Sequence, residues 1–167
     1  MTITSAGSGA PPHGDSSLSS QVDEEVAQAF LQVTPHMGRI LRRSLANLSG
    51  GMSVMRYRVL MELSRGDSRT TDLARELGVS PPTMSELIDQ MVRAGWVKRE
   101  INAGDRRAVI LAITPGGKAE LEQAERVALT KVKQVVSRMD EDDARALRRG
   151  LEALKSAINA LQAEEGS

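Results

Sequence analysis

The side chains best placed for chemistry in this chain suit binding rather than catalysis. Ser80, Pro81, Pro82, Thr83 and Ser85 form a hydroxyl-rich cluster followed by Glu86 and Gln90, and Asp105, Arg106 and Arg107 lie in a short polar stretch beyond them. A helix capped by Ser80, with Pro81 at its first position, presents free amides and hydroxyls at one end. That end can meet phosphates or base edges in a DNA major groove. Arginines at the tip of a hairpin can reach a neighbouring minor groove, where narrow A·T-rich stretches concentrate negative potential. Lys98 and Arg99, on the strand leading to that tip, are phosphate candidates. Glu86 can accept from cytosine N4, or it can repel phosphate and lower affinity.

Catalytic chemistry finds little support. The chain has no cysteine and two histidines, His13 and His36, with no phosphate-cradling glycine loop and no metal-ligand spacing. The acidic run Asp140–Asp143 reads as a helix start, where carboxylates favour the positive end of the dipole. The expectation is a non-enzyme without metal or cofactor, and without a cysteine-oxidation switch.

The elements that must carry these residues follow from apolar periodicity. With one phenylalanine, one tyrosine and one tryptophan in 167 residues, the core has to be built from Leu, Val, Ile, Met and Ala, which suits helix packing. Residues 1–18 read as a disordered tail. Val22, Val26, Phe30, Val33, Met37, Ile40, Leu41, Leu45 and Leu48 recur at helical spacing, interrupted by Pro35. There the helix either kinks, or ends so that Thr34 caps a second one. Ser53–Arg65 forms the next helix. Thr70 or Thr71 caps a short helix with Leu73, Ala74 and Leu77 inward, and Gly78 supplies the turn. In the following helix Met84, Leu87, Ile88 and Met91 share one face, and Gly95 stops it. Trp96–Glu100 and Val109–Ile113 make a hairpin. Thr114-Pro115 starts a long helix to about Met139, and a last helix spans about Glu141–Ala163.

Net charge is zero, yet the segment Arg93–Arg107 holds 5 basic against 2 acidic residues. A local basic edge on a neutral chain suits site-selective binding over a modest non-specific background. No signal peptide and no apolar run of membrane-spanning length is present, so a cytoplasmic protein away from membranes is expected.

Three motifs in order carry a resemblance: Asp72-Leu73-Ala74-Arg75-Glu76-Leu77-Gly78-Val79-Ser80, Gly95-Trp96-Val97, and Asp105-Arg106-Arg107 followed by Ile113-Thr114-Pro115-Gly116-Gly117. The first alone is generic to helix-turn-helix proteins. Together, over about residues 22–163, they resemble the MarR family of bacterial winged-helix regulators. The resemblance implies a mostly α (α+β) fold, a winged helix-turn-helix DNA-binding lobe with long N- and C-terminal dimerisation helices. It implies a homodimer on a pseudo-palindromic operator in double-stranded DNA, usually a repressor released by a small molecule or by oxidation. It also implies that Asp105 pairs with Arg107 to brace the wing while Arg106 or Arg107 probes the minor groove. An effector pocket between dimer helices and DNA-binding lobe would draw on His36, Met37, Ile40, Met52, Met55, Tyr57 and Arg58. Glu86 departs from the basic residue many relatives carry near that position.

The expected organisation is therefore a tail (1–18), N-terminal dimerisation helix or helices (19–51), a DNA-binding lobe (52–114), C-terminal dimerisation helices (115–163) and a short tail (164–167). The competing expectation is a winged-helix module for protein contacts, antirepressor-like, with little DNA affinity. Zero net charge and Glu86 keep it open.

Overall fold

A computed structural model describes residues 15–48, 50–102 and 105–165, with side chains described for 20–48, 50–101 and 109–164. By its packing the chain divides after Ile40 into two units.

The first unit is the greater part of α1 (Asp15–Ala46). The helix runs through Pro35 without ending, so the expectation of a second helix capped by Thr34 is overturned. Pro35 has no N–H for the carbonyl one turn back, and an exposed helix leaves that carbonyl to water. On either side the Thr34 hydroxyl donates to the Phe30 carbonyl (2.8 Å), and His36 Nδ1 lies 3.0 Å from the Gln32 carbonyl. Thr34 thus bonds backwards within a continuing helix instead of capping a new one. The helix also takes in Asp15 to Leu18, which composition had assigned to the tail. An Asp-Ser-Ser start is compatible with a helix N-terminus. Val22, Val26, Phe30 and Val33 stay between 49 and 62% exposed along this segment.

The second unit holds the end of α1 and everything after it. Ser53 caps α2 (Val54–Arg65) by accepting from the Arg56 N–H. In α3 (Thr70–Leu77) the expected threonine cap is absent: Arg69 occupies the cap position and Thr70 is already helical. The reason is a two-way bridge in which Ser68 and Leu111 exchange backbone hydrogen bonds, holding the chain extended up to Arg69. Gly78, left-handed at φ 68°, ends α3, with its own N–H on the Arg75 carbonyl and the Val79 N–H on the Ala74 carbonyl. Ser80 caps α4 (Pro81–Arg93) as its type and place dictate.

Strands β1 (Val97–Asn102) and β2 (Asp105–Ile113) pair antiparallel from Val97↔Ile113 to Ile101↔Val109, with an irregularity beyond Ile101. Thr114 closes the hairpin by donating its N–H to the Trp96 carbonyl (3.0 Å) and caps α5 (Pro115–Val136) through Gly117 N–H. The buried core draws one face from each of these elements, among them Leu45, Leu60, Leu73, Ile88, Leu111 and Leu121. The last helix, α6 (Glu141–Glu165), adds none: Leu147, Leu151, Leu154, Ile158 and Leu161 remain 36–56% exposed.

Candidate nucleic-acid interface

Helix α4 is held from behind and open in front. Met84, Ile88 and Met91 are fully buried, which fixes the helix on the core at a spacing of three to four residues. Ser80, Pro81, Pro82, Thr83, Ser85 and Glu86 are all exposed on the opposite side and at the N-terminal end. Ser80 Oγ accepts from the Thr83 N–H (3.3 Å) and lies 2.7 Å from Thr83 Oγ1, so the two hydroxyls form one unit at the helix start. The two prolines carry no N–H, and the Thr83 and Met84 N–H groups are committed to Ser80, so the exposed hydroxyls are the polar groups of that end.

Gln90 stands apart from this group. It is half-buried, and its Oε1 accepts from Arg56 Nη2 at 2.7 Å. The structure therefore ties Gln90 inward, away from the cluster with which the sequence had grouped it. Arg99 and Lys98 are also engaged. Arg99 donates to Asp89 of α4 at 2.6 Å, and Lys98 pairs with Glu100 two residues along the same strand. The hydrogen bond to Glu100, helped by its charge, holds the Lys98 ammonium above the usual lysine range. Both cations are exposed and remain within reach of a phosphate, but each would have to share with or leave a carboxylate.

The wing tip assignments, Asp105 as brace and Arg106 and Arg107 as probes, concern side chains outside the described residues. The backbone of β2 begins at Asp105, opposite Asn102.

The seven effector candidates are placed as follows. His36 is exposed, and Met37 and Ile40 are half-buried, all on α1 in the first unit. In the second unit Met52 is a core residue and Met55 packs partly against that core, as methionines at helical spacing generally do. Arg58 is half-exposed. Tyr57 lines a groove of about 660 Å³ between α2 and α5, with Leu41, Ala128, Leu129 and Val132 as apolar wall and the exposed Glu122 and Glu125 beside it. Burial first, and then the charge of Glu125, raises the Tyr57 phenol above its usual range.

Two contributors escaped the sequence reading, Asp89 and Arg56. Each is a charged residue on a helix whose local pattern reads as solvated surface. Their partners are distant in sequence, 10 positions away for Asp89 and 34 for Arg56. Among the described residues no group of three acidic or histidine side chains could hold a metal, and no helix is long and apolar enough to cross a membrane.

Comparison with known proteins agrees with this arrangement. The MarR family model matches residues 50–108, from the turn before α2 into β2. An uncharacterized HTH-type transcriptional regulator, YfiV of Bacillus subtilis, is 28% identical over 108 residues, covering 64% of this chain and 68% of that protein. The HTH-type transcriptional repressor YetL of the same organism is 26% identical over 122 residues, covering 71% and 72%. Among solved structures, wild-type apo MarR of Escherichia coli superposes with TM-score 0.70 at 22% identity, over 77% of this chain and 94% of that one. A mutant form of the same protein complexed with operator DNA gives 0.60 at 22% identity, over 78% and 93%. The helix-turn-helix and hairpin of residues 50–108 thus match the MarR family, and the long helices on either side complete the fold seen in the E. coli MarR structure.

Proposed function

We propose that this chain is a homodimeric, sequence-specific DNA-binding transcriptional regulator, a repressor that leaves its operator when a small molecule binds. The observation that carries the DNA-binding part is the exposed Ser80–Glu86 end of α4, held on a buried Met84–Ile88–Met91 face beside a hairpin. Such an end enters a major groove with its hydroxyls forward. The operator complex of E. coli MarR and the repressor name of YetL support extending this reading to the present chain.

Dimerisation rests on the uncovered apolar rows of α6 and α1. Exposed apolar rows of this length mark an interaction surface, and a second copy offers the same rows. Two copies of α4 about one DNA turn apart then read a pseudo-palindrome. The effector part rests on the Tyr57 groove, whose occupant would act by favouring a dimer in which the two reading helices no longer match the operator.

A second reading, a winged-helix module for protein contacts, is favoured by one observation: Lys98 and Arg99 are both committed to carboxylates. Salt titration of binding to duplex DNA separates the two. A DNA-binding regulator loses affinity linearly in log salt, with a slope set by the phosphates it neutralises. A flat response, or no binding at low salt, refutes the regulator and leaves the protein-contact module.

A further inference from the structure

We propose that Arg56 is a positioning residue for the reading helix: it pins the C-terminal half of α4 to the turn between α1 and α2, and thereby sets the presentation of the Ser80–Glu86 end. This rests on the DNA-binding reading above and adds a residue that touches no DNA.

Arg56 lies in the first turn of α2, and its guanidinium makes three contacts to three other segments. Nη1 donates to the Gly51 carbonyl, in the turn before α2. Nη2 donates to Gln90 Oε1 at 2.7 Å, in the third turn of α4. The guanidinium carbon stands 5.8 Å from the ring centroid of Trp96, at the junction of α4 and β1. The turn itself is pressed onto the same indole. Gly50 has φ +94°, and a Cβ there would sit 3.0 Å from Trp96 Cζ2, so only glycine lets the turn lie this close.

One side chain thus joins the turn, the back of α4 and the start of the hairpin. Arginine suits this task because its planar fork offers several donors in fixed directions, stacks on an aromatic face and keeps its charge at every relevant pH. Gln90 and Thr83 are seven residues apart, about 10 Å along the helix axis. A helix held at Gln90 and along its buried face has little freedom to tilt at Thr83. Base readout needs that rigidity, because its hydrogen bonds tolerate only sub-ångström misplacement. Attraction to phosphates does not need it.

The contact also commits the Gln90 side-chain oxygen to Arg56, which on this proposal makes Gln90 a support of the helix and not a base reader.

The test uses the full chain and two probes, a duplex selected by the wild-type protein from a random library and a scrambled duplex of equal length. R56A and Q90A are each expected to weaken binding to the selected duplex about tenfold, leaving the scrambled duplex and its salt slope unchanged. R56A combined with Q90A is expected to be no worse than R56A alone, since both remove one interaction. R56K keeps the charge but not the fork, and is expected to behave as R56A. Emission of Trp96, the single tryptophan, is expected to change in R56A. If R56A loses affinity for both duplexes with a salt slope shallower by about one, Arg56 contacts a phosphate and the proposal is wrong. Wild-type affinity in R56K also overturns it. If R56A does not fold, Q90A decides: undiminished specific binding, or relaxed preference at a single base pair, overturns the proposal. A wild-type chain that selects no duplex overturns the DNA-binding reading itself and this inference with it.

Discussion

Arg99 of β1 and Asp89 of α4 meet at 2.6 Å, tying the hairpin to α4. Both side chains are nearly half exposed, so the pair contributes only about 0–1 kcal/mol to stability. On the DNA-binding proposal its larger effect is on charge supply, because a phosphate would have to compete with Asp89 for the Arg99 guanidinium. D89N is expected to leave thermal stability almost unchanged while strengthening non-specific duplex binding. The slope of log K against log salt should steepen by about 0.9 if the freed Arg99 engages one phosphate. An unchanged slope would place Arg99 away from the DNA backbone.

Ser80 serves two ends at once. Its Oγ caps α4 through the Thr83 N–H, and the same oxygen orients the Thr83 hydroxyl. S80A is expected to cost about 1 kcal/mol of folding stability, measured by chemical denaturation. T83A leaves the cap intact and should cost little stability. Its effect on DNA separates two roles: a loss of about 1–3 kcal/mol confined to one base position marks a base contact, and a uniform loss marks a phosphate contact.

The joint between α4, the hairpin and α5 allows no side chain at position 117. A Cβ on Gly117 would stand 2.1 Å from the Trp96 carbonyl oxygen, which itself accepts from the Thr114 N–H and hydroxyl. Backbone meets backbone here, so relief requires α5 to move off the hairpin. G117A is expected to destabilise by about 3 kcal/mol or more, read from the shift of the denaturation midpoint. G116A, whose Cβ would lie 3.3 Å from the Gly95 carbonyl, serves as the milder control.

The terminal helices make a separate prediction. Leu151 and Ile158 lie seven residues apart on one side of α6 and are 52% and 44% exposed. Neither belongs to the core built from the other elements. If α6 helps form the proposed dimer, L151E combined with I158E is expected to halve the sedimentation mass at micromolar concentration with the helicity of α2–α5 preserved. Persistence of the wild-type mass would remove α6 from the interface.

Local signals carried most of the architecture. Ser53, Ser80 and Thr114 cap helices where their types and the following residues say they should, and Gly78 turns left-handed between α3 and α4. Signals failed where a tertiary contact decided the outcome. The start of α3 moved to Thr70 because Ser68 bridges Leu111, a pairing across 43 positions that no local pattern encodes. Pro35 failed in the other direction, since a proline normally breaks a helix but is tolerated in one whose freed carbonyl meets water. In the candidate interface the hydroxyl cluster was legible as a capped helix end. The roles of Gln90, Lys98 and Arg99 were not, because each depends on its partner: Arg56, Glu100 and Asp89.

The hairpin tip gives the last prediction, drawn from sequence and backbone together. Asp105, Arg106 and Arg107 open β2 at the end of the hairpin far from the core, opposite Asn102. A fold held by Val97, Leu111 and Trp96 at the other end has no need of two arginines there. Minor-groove insertion does, since a guanidinium is drawn to the potential of a narrow groove. R106A combined with R107A is expected to abolish specific binding to the selected duplex while leaving sedimentation mass and thermal unfolding unchanged. D105N, with both arginines kept, should weaken specific binding less, because it removes only the pairing expected of Asp105 and leaves both guanidiniums. If the double variant binds with wild-type affinity, the wing does not read DNA in this protein, and the Ser80–Glu86 end of α4 must supply the specific contacts by itself.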